Sequence, residues 1–362
     1  MPVRALAYFL DTPGSPLVSR PLDLPDPGPG EALVEVLACG LCHTDLGFAD
    51  GSVPPKHPLP LVLGHEVVGR VVAVGAPGLK AGSPTGDCPP HDLVVVPAVL
   101  PCGRCAFCCA GRGNACPDQK MPGNDIHGGF ATHLLVPSSA LVSLADLPPA
   151  IDVREISVVA DAVSTAYQAV CRADLRPGHL ALVVGAGGVG GFLVQIARAL
   201  GARVIACDVR RDRLDLIAAH GAERTIEVGG RAPQEVRKEA HAIARSWGIA
   251  SLDFRIFECS GSPQGQVLAF GLLSRAATLV QVGYTPKPVE VRLSNLMAFD
   301  ATIHGTWGCP PARYPEVLRL ISQGQVAITP FVEHAPMSRI NELLDAMAHH
   351  QLANRMILDP RR

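Results

Sequence analysis

The 362 residues are 48% hydrophobic and 18% charged, with a net charge of -2, which gives a soluble globular chain enough apolar material for two cores. There is no run of Lys or Arg, and this argues against nucleic acid or membrane surfaces as main partners and leaves small-molecule chemistry as the default. The sequence shows no signal peptide and no amphipathic targeting segment, so a cytoplasmic location with reduced cysteines is expected.

In chain order, the first 160 or so residues carry short β-type runs at 32–37, 67–74, 93–99 and 132–136, separated by Pro/Gly loops such as 21–30 and 76–92. That pattern predicts an irregular, mostly antiparallel β domain. From about 163 to 304 apolar runs at 180–184, 204–207, 254–258 and 277–282 alternate with helical segments at 193–200 and 213–220. Alternation of this kind predicts a parallel sheet with crossover helices. Two amphipathic helices, at 314–323 and 340–350, and a short apolar run at 355–358 close the chain. The stretch 177–197 has no acidic residue, Lys or Arg, but its five glycines between Gly185 and Gly191 suit strand, turn and helix better than a membrane span.

Cys102, Cys105, Cys108 and Cys116 stand with two, two and seven residues between them in a Gly/Asn-rich stretch. Zn²⁺ takes four thiolates at about 2.3 Å, and such spacings let one loop wrap the ion, so a closed structural zinc site is expected. Cys109 breaks the spacing and is read as a bystander. Cys39, Cys88, Cys171, Cys207, Cys259 and Cys309 show no ligand spacing among themselves.

Gly185-Ala-Gly-Gly-Val-Gly190 matches G-x-G-x-x-G between a strand and a helix. The first glycine permits the tight turn, the second lets the backbone approach a pyrophosphate, and the third lets helix and strand pack. Helix N-terminal amides then hold the phosphates. The next apolar run ends at Asp208, eighteen residues beyond Gly190. A carboxylate there accepts hydrogen bonds from a ribose 2′-hydroxyl and repels a 2′-phosphate, which predicts NAD(H) over NADP(H). Arg210 and Arg211 just beyond it could soften that preference, and a helix-capping aspartate is the alternative reading.

A third constellation is scattered. Cys42-His43-Thr44-Asp45 follows a strand and Gly64-His65-Glu66 precedes one. Cys42 and His65 are good zinc ligands, Glu66 could supply oxygen, and the strand-to-helix region 157–170 offers Asp161 as the third ligand of an open catalytic site. An aspartate in that apolar run is expensive to bury unless paired or metal-bound. On the residues alone, His65 as a satisfied core histidine, Asp161 as a helix N-cap, and Cys39 and Cys42 as a redox C-x-x-C stand beside this reading.

The four-cysteine cage, the C-H-T-D and G-H-E segments and the G-x-G-G-V-G loop, in this order and over essentially the whole chain, resemble the zinc-dependent medium-chain dehydrogenase/reductases, the zinc alcohol dehydrogenases. The resemblance implies an α/β fold: a GroES-like irregular β catalytic domain with the structural zinc loop at 1–162, a doubly wound Rossmann NAD-binding domain at 163–304, and a return to the catalytic domain at 305–362, with zinc and nicotinamide in the cleft. It implies two Zn²⁺ per chain and NAD(H). Cys42, His65 and Asp161 match the catalytic zinc ligands, and Glu66 the carboxylate that approaches the zinc when water is displaced. Asp45 matches the group that orients His65, and Thr44 the hydroxyl that hydrogen-bonds substrate oxygen. His43, Val189, Gly188, Arg213, Val282 and Ile303 match cofactor positions beside Gly185, Gly187, Gly190 and Asp208, with core packing the equal alternative for Val282 and Ile303. A homodimer or homotetramer is implied as well.

Within the family the stretches 94–103, 121–133, 157–170, 257–261, 289–299 and 307–315 are similar to the 6-hydroxycyclohex-1-ene-1-carbonyl-CoA dehydrogenases and related acyl-CoA reductases, implying hydride transfer at the β carbon of an acyl-CoA thioester. Reduction of an enoyl-CoA, such as dimethylacryloyl-CoA to isovaleryl-CoA, and oxidation of free alcohols are the alternatives. A non-catalytic nucleotide-binding protein on the same fold would lack the open-site ligands, and these are present. The sequence departs from the family pattern at Gly47, where many members carry a proton-relay histidine, and in the long Gly/Pro-rich stretch 81–91.

Overall fold

The computed structural model describes residues 3–75 and 88–361, arranged in two compact units. Residues 76–87, most of the loop expected at 76–92 and of the stretch 81–91, lie outside the described residues. Among the described residues no helix is long and apolar enough to cross a membrane.

The first unit comprises Met1–Ser164, Gly308–Ser322 and Ile328–Arg362. Its larger sheet runs in the order Val332–Pro336, Arg355–Asp359, Glu31–Gly40, Glu66–Val74, Leu93–Val96, Val142–Ser143, and His133–Pro137 also pairs with Glu31–Gly40. All pairings are antiparallel except that of the first two strands. Glu31–Gly40 is buried on both faces, which is why it reads as a nearly continuous apolar run rather than an alternation. Its pairing with Glu66–Val74 shifts register between Leu33 and Val34 and between Val36 and Ala38, and ends with Gly40 opposite Glu66. On its other edge Gly40 faces Ile357, and the Leu41 N–H donates to the Met356 carbonyl at 2.9 Å. Three chain segments therefore meet at one corner of the sheet: the turn at Leu41 and Cys42, the residues leading into Glu66, and the start of Arg355–Asp359.

The expected loop at 21–30 is corrected in part, because Val18–Leu24 is a strand of a second sheet, ordered Val18–Leu24, Val3–Leu10, Leu61–Val62. Pro21 lies opposite Leu6 on the edge strand, the one place in a sheet where a missing N–H costs no ladder bond. The strand expected at the start of 157–170 is corrected too: Glu155–Ala160 is a fully buried 3₁₀ turn followed by the helix Ala162–Arg172. A run buried on every side carries no periodicity that separates the two.

The second unit comprises Thr165–Trp307 and Gln323–Ala327. Its six-stranded sheet is parallel throughout, in the order Arg224–Glu227, Arg203–Asp208, Leu180–Val184, Phe254–Glu258, Thr278–Gln281, Thr302–Gly305. By chain position these are strands three, two, one, four, five and six of the unit, the doubly wound order whose direction reverses between the first and the fourth. Leu180–Val184 at the centre is wholly buried. Gln195 ties Gln323–Ala327 to this unit, its Oε1 accepting from Ala327 N–H at 2.8 Å and its Nε2 donating to the Ala327 carbonyl at 3.2 Å.

Candidate active site

Cys42 precedes the helix His43–Asp50, and Asp45 in the first turn of that helix reaches back to accept the Cys42 N–H at 3.0 Å, which fixes the chain where the thiol emerges. The same buried carboxylate accepts the Gly64 N–H and the His65 Nδ1–H, each at 3.1 Å. With Nδ1 so engaged, Nε2 of His65 presents its lone pair. Burial alone would pull the imidazole pKa down, yet the Asp45 charge and the nearness of Asp161 and Cys42 raise it well above its ordinary value.

Asp161 follows the buried 3₁₀ turn, and its Oδ2 lies 3.6 Å from His65 Nε2 and 3.9 Å from Cys42 Sγ. The ligand atoms of Cys42, His65, Glu66 and Asp161 all fall within 4.8 Å of one another. Thr44 Oγ1 sits 3.8 Å from Cys42 Sγ. Glu66 is fully buried, and its Oε1 accepts from Arg355 at 2.5 Å and from the Ala162 N–H at 3.2 Å. Burial outweighs the Arg355 charge and pushes the Glu66 carboxyl up to about 7. A Cβ on Gly40 would fall 2.1 Å from Glu66 Oε2, so the glycine makes room for that carboxylate.

His65 Nε2 and Glu66 Oε2 are buried with no hydrogen-bond partner among the described residues. Orphaned buried polar atoms are rare in folded proteins, and a sulfur, a ring nitrogen and carboxylate oxygens converging on one point are the donor set of a catalytic Zn²⁺. The residues fit the ion. The redox alternative finds no support in the surroundings of Cys39, which is buried and directs its thiol to the Gly40 carbonyl, and burial pushes its pKa well up.

The second donor set is the loop of Cys102, Cys105, Cys108 and Cys116, again within 4.8 Å. Sulfur separations of 3.5, 3.7 and 4.0 Å bracket the edge of about 3.8 Å that a tetrahedron with bonds of about 2.3 Å requires. Backbone amides, that of Arg104 foremost, bring the Cys102 thiol down to about 7. Cys109 stands apart, exposed, with its thiol toward the Arg104 carbonyl. All twelve cysteines are free of disulfides.

In the second unit the glycine loop joins Leu180–Val184 to the helix Gly188–Ala199, with Gly187 as N-cap. Gly185 has φ 91° and a Cβ there would fall 2.6 Å from the Ser260 backbone, while one on Gly190 would fall 1.8 Å from the Gly185 carbonyl oxygen. Asp208, at the end of the neighbouring strand, accepts from the Ala186 N–H at 2.7 Å and the Arg210 N–H at 2.9 Å. A carboxylate offers about four acceptor positions, so capacity remains for a pair of ribose hydroxyls. Arg210 is engaged by Asp212, and Arg211 by Asp215 at 2.9 Å. The Arg213 guanidinium lies 3.4 Å from where a Cβ on Gly187 would be, and its buried Nε has no hydrogen-bond partner among the described residues. The Val282 N–H donates to the Glu258 carbonyl at 3.0 Å, Ile303 is partly exposed on Thr302–Gly305, and His43 is exposed on the first turn of its helix.

The residue that sequence reasoning missed is Arg355. Its signal was a cation opening the apolar run Arg355–Asp359, which a reading for hydrophobic pattern passes over.

Comparison with known proteins bears on these sites. Residues 28–146 match the model of the alcohol dehydrogenase GroES-like domain, and residues 188–323 that of the zinc-binding dehydrogenases. An alcohol dehydrogenase of Rhizobium meliloti (strain 1021) is 30% identical over 349 residues, spanning 96% of both chains. An NAD-dependent alcohol dehydrogenase of Sulfolobus acidocaldarius is 30% identical over 370 residues, spanning 97% of this chain and 98% of the relative. The chain belongs to the zinc-binding alcohol dehydrogenase family. The crystal structure of an alcohol dehydrogenase from Thermotoga maritima superposes with a TM-score of 0.85 at 26% identity, covering 99% of each chain. A GroES-like domain and a Rossmann-type parallel sheet are thus the fold of this chain, and an oxidoreductase of the zinc-dependent alcohol dehydrogenase type is its class. Both of its donor sets are compatible with the zinc ions of the family, one structural and one catalytic.

Proposed function

We propose that this chain uses NAD(H) and a zinc ion to transfer hydride at the β carbon of an acyl-CoA, in the manner of the 6-hydroxycyclohex-1-ene-1-carbonyl-CoA dehydrogenases. The observation that carries the chemistry is the convergence of Cys42 Sγ, the unpartnered His65 Nε2 and Asp161 Oδ2 on one point. Zinc held by these residues would supply a Lewis acid for the substrate oxygen, and NAD⁺ would supply the hydride acceptor. Asp45 keeps the His65 ring in the tautomer and orientation this needs. Thr44, beside Cys42, takes the hydrogen bond of the substrate oxygen. Glu66 stands behind the ligands with its carboxyl kept in place by Arg355. Gly185, Gly187, Gly188, Val189, Gly190 and Asp208 hold the dinucleotide, with the free acceptor positions of Asp208 favouring NAD(H). A relative named as NAD-dependent supports that choice.

The acyl-CoA class rests on the local likeness of stretches such as 121–133 and 307–315. A second reading, enoyl-CoA reduction, is favoured by Gly47: it offers no side chain to carry an alcohol proton outward, and protonation of an enolate at its α carbon requires no such export. Oxidation of free alcohols is favoured by the relatives named as alcohol dehydrogenases. We place the NAD-binding domain at 163–304, between catalytic segments 1–162 and 305–362, in a cytoplasmic homodimer or homotetramer.

The test is NADH-linked absorbance with purified protein of known zinc content, against β-hydroxyacyl-CoA esters with NAD⁺, enoyl-CoA esters with NADH, and simple alcohols with NAD⁺. Turnover confined to free alcohols removes the acyl-CoA reading, and turnover with none of the three removes the proposal.

A further inference from the structure

Glu258 ends the strand Phe254–Glu258 and is fully buried. Its Oε1 accepts from the Ser260 N–H at 2.8 Å, the Ser260 hydroxyl at 2.5 Å and the Gly261 N–H at 3.2 Å, and its Oε2 accepts from the Gln281 amide at 2.7 Å. Among the described residues only donors face the two oxygens, the pattern of an ionised carboxylate. Every one of those donors is neutral, and among the described residues Glu258 enters no ion pair. Buried charges are ordinarily paired with a cation or a metal, so this one is exceptional.

The surroundings are shaped to keep it. A Cβ on Gly283 would fall 2.6 Å from Glu258 Oε2, and one on Gly265 would fall 1.9 Å from Ser260 Oγ. Gln281 also donates to the Gly283 carbonyl at 2.6 Å. The carboxylate thus ties together the turns that follow two adjacent strands.

Its place in the sheet says what the charge can act on. The strand order reverses between Leu180–Val184 and Phe254–Glu258, and doubly wound sheets take their ligands at the carboxyl ends of the strands flanking that reversal. The glycine loop leaves the first of these strands and packs against Ser260, beside Glu258. Asp208 lies on the far side of the loop, on Arg203–Asp208, and takes the adenosine ribose. A dinucleotide whose pyrophosphate sits on the loop therefore sends its other half to the side of Glu258 and Gln281. That half carries the redox-active ring, cationic in NAD⁺ and neutral in NADH.

We infer that Glu258 is a fixed anion that biases this enzyme toward the oxidised cofactor by stabilising the cationic ring. The inference rests on the NAD(H) reading above. It is tested by equilibrium titration of the purified zinc-loaded protein with NAD⁺ and with NADH, taking the ratio of the two dissociation constants as the readout and thermal denaturation as the control for folding. Glu258→Gln removes the charge and should raise Kd(NAD⁺)/Kd(NADH) about tenfold, the scale of a unit charge acting across a partly desolvated site. Gln281→Lys keeps a donor on Oε2 while neutralising the carboxylate, and should move the ratio the same way even where Glu258→Gln does not fold. A residue that merely holds the turns together would weaken both forms equally. An unchanged ratio in the folded variants overturns the inference and leaves the NAD(H) reading intact, whereas wild-type protein binding neither form overturns both.

Discussion

Glu66 and Arg355, 289 positions apart in the chain, form an ion pair at 2.5 Å in which the glutamate side chain is fully buried and the arginine side chain is 8% exposed. The pair ties the last strand of the first unit to the residue next to the candidate zinc ligand His65. Its energetics are asymmetric, because two buried charges roughly cancel their desolvation while one left alone does not.

Arg355→Ala should therefore destabilise the protein by about 3–5 kcal/mol, whereas the double variant Glu66→Gln/Arg355→Met should recover most of that loss. Urea denaturation of the single and double variants is the measurement. A single variant as stable as wild type would show that water reaches Glu66.

Asp45 accepts the proton of His65 Nδ1, so Asp45→Asn should free the ring to turn and lower zinc affinity or turnover about 10- to 100-fold. Dialysis against a mild chelator followed by metal analysis should find about one zinc per chain retained, the one in the four-cysteine loop. Loss of both ions together would show that the sites are not independent.

Cys105→Ser breaks the cage while leaving Cys42, His65 and Asp161 untouched. Without its ion the 102–116 segment has few buried apolar groups to order it. Limited proteolysis should then cut within this segment in the variant and spare it in wild type.

Asp208→Gly removes the carboxylate that accepts from Ala186 and Arg210. The ratio of kcat/KM for NAD⁺ to that for NADP⁺ should fall about tenfold or more, equivalent to about 1.4 kcal/mol. Steady-state kinetics with both cofactors decides it.

His127 accepts the Val62 N–H on Nδ1 at 3.2 Å and lies 5.0 Å, ring to ring, from His57. Burial, with the His57 charge adding to it, holds its pKa below 6.5. The unfolded chain therefore takes up the proton first, so this contribution to stability is present above about pH 6.5 and is lost as pH falls through the folded-state value. Urea midpoints measured from pH 8 to pH 5 should fall less steeply for His127→Gln than for wild type.

Several elements were legible because their determinants are local. The strands Leu180–Val184 and Phe254–Glu258 and the helix starting at Tyr314 carry their periodicity or their bounding glycines within a few residues. The glycine loop could be read for the same reason. The edge strand through Pro21 and the 3₁₀ turn before Asp161 could not, since one depends on which side of a sheet stays unpaired and the other on burial from every direction. Glu258 stood within an already noted stretch, 257–261, but nothing nearby in sequence says that its partners among the described residues are neutral.

The sequence by itself determined the chemistry on offer: four thiols spaced for a tetrahedron, a loop of glycines that a phosphate can approach, and an acid after the following strand. Covalent spacing alone fixes such groups within reach of one another. Only the tertiary structure decided that Cys42, His65 and Asp161 share one point and that Arg355 stands behind them. That meeting depends on the register that sets Gly40 opposite both Glu66 and Ile357, and register follows from burying whole faces of a sheet, a property that no segment possesses alone.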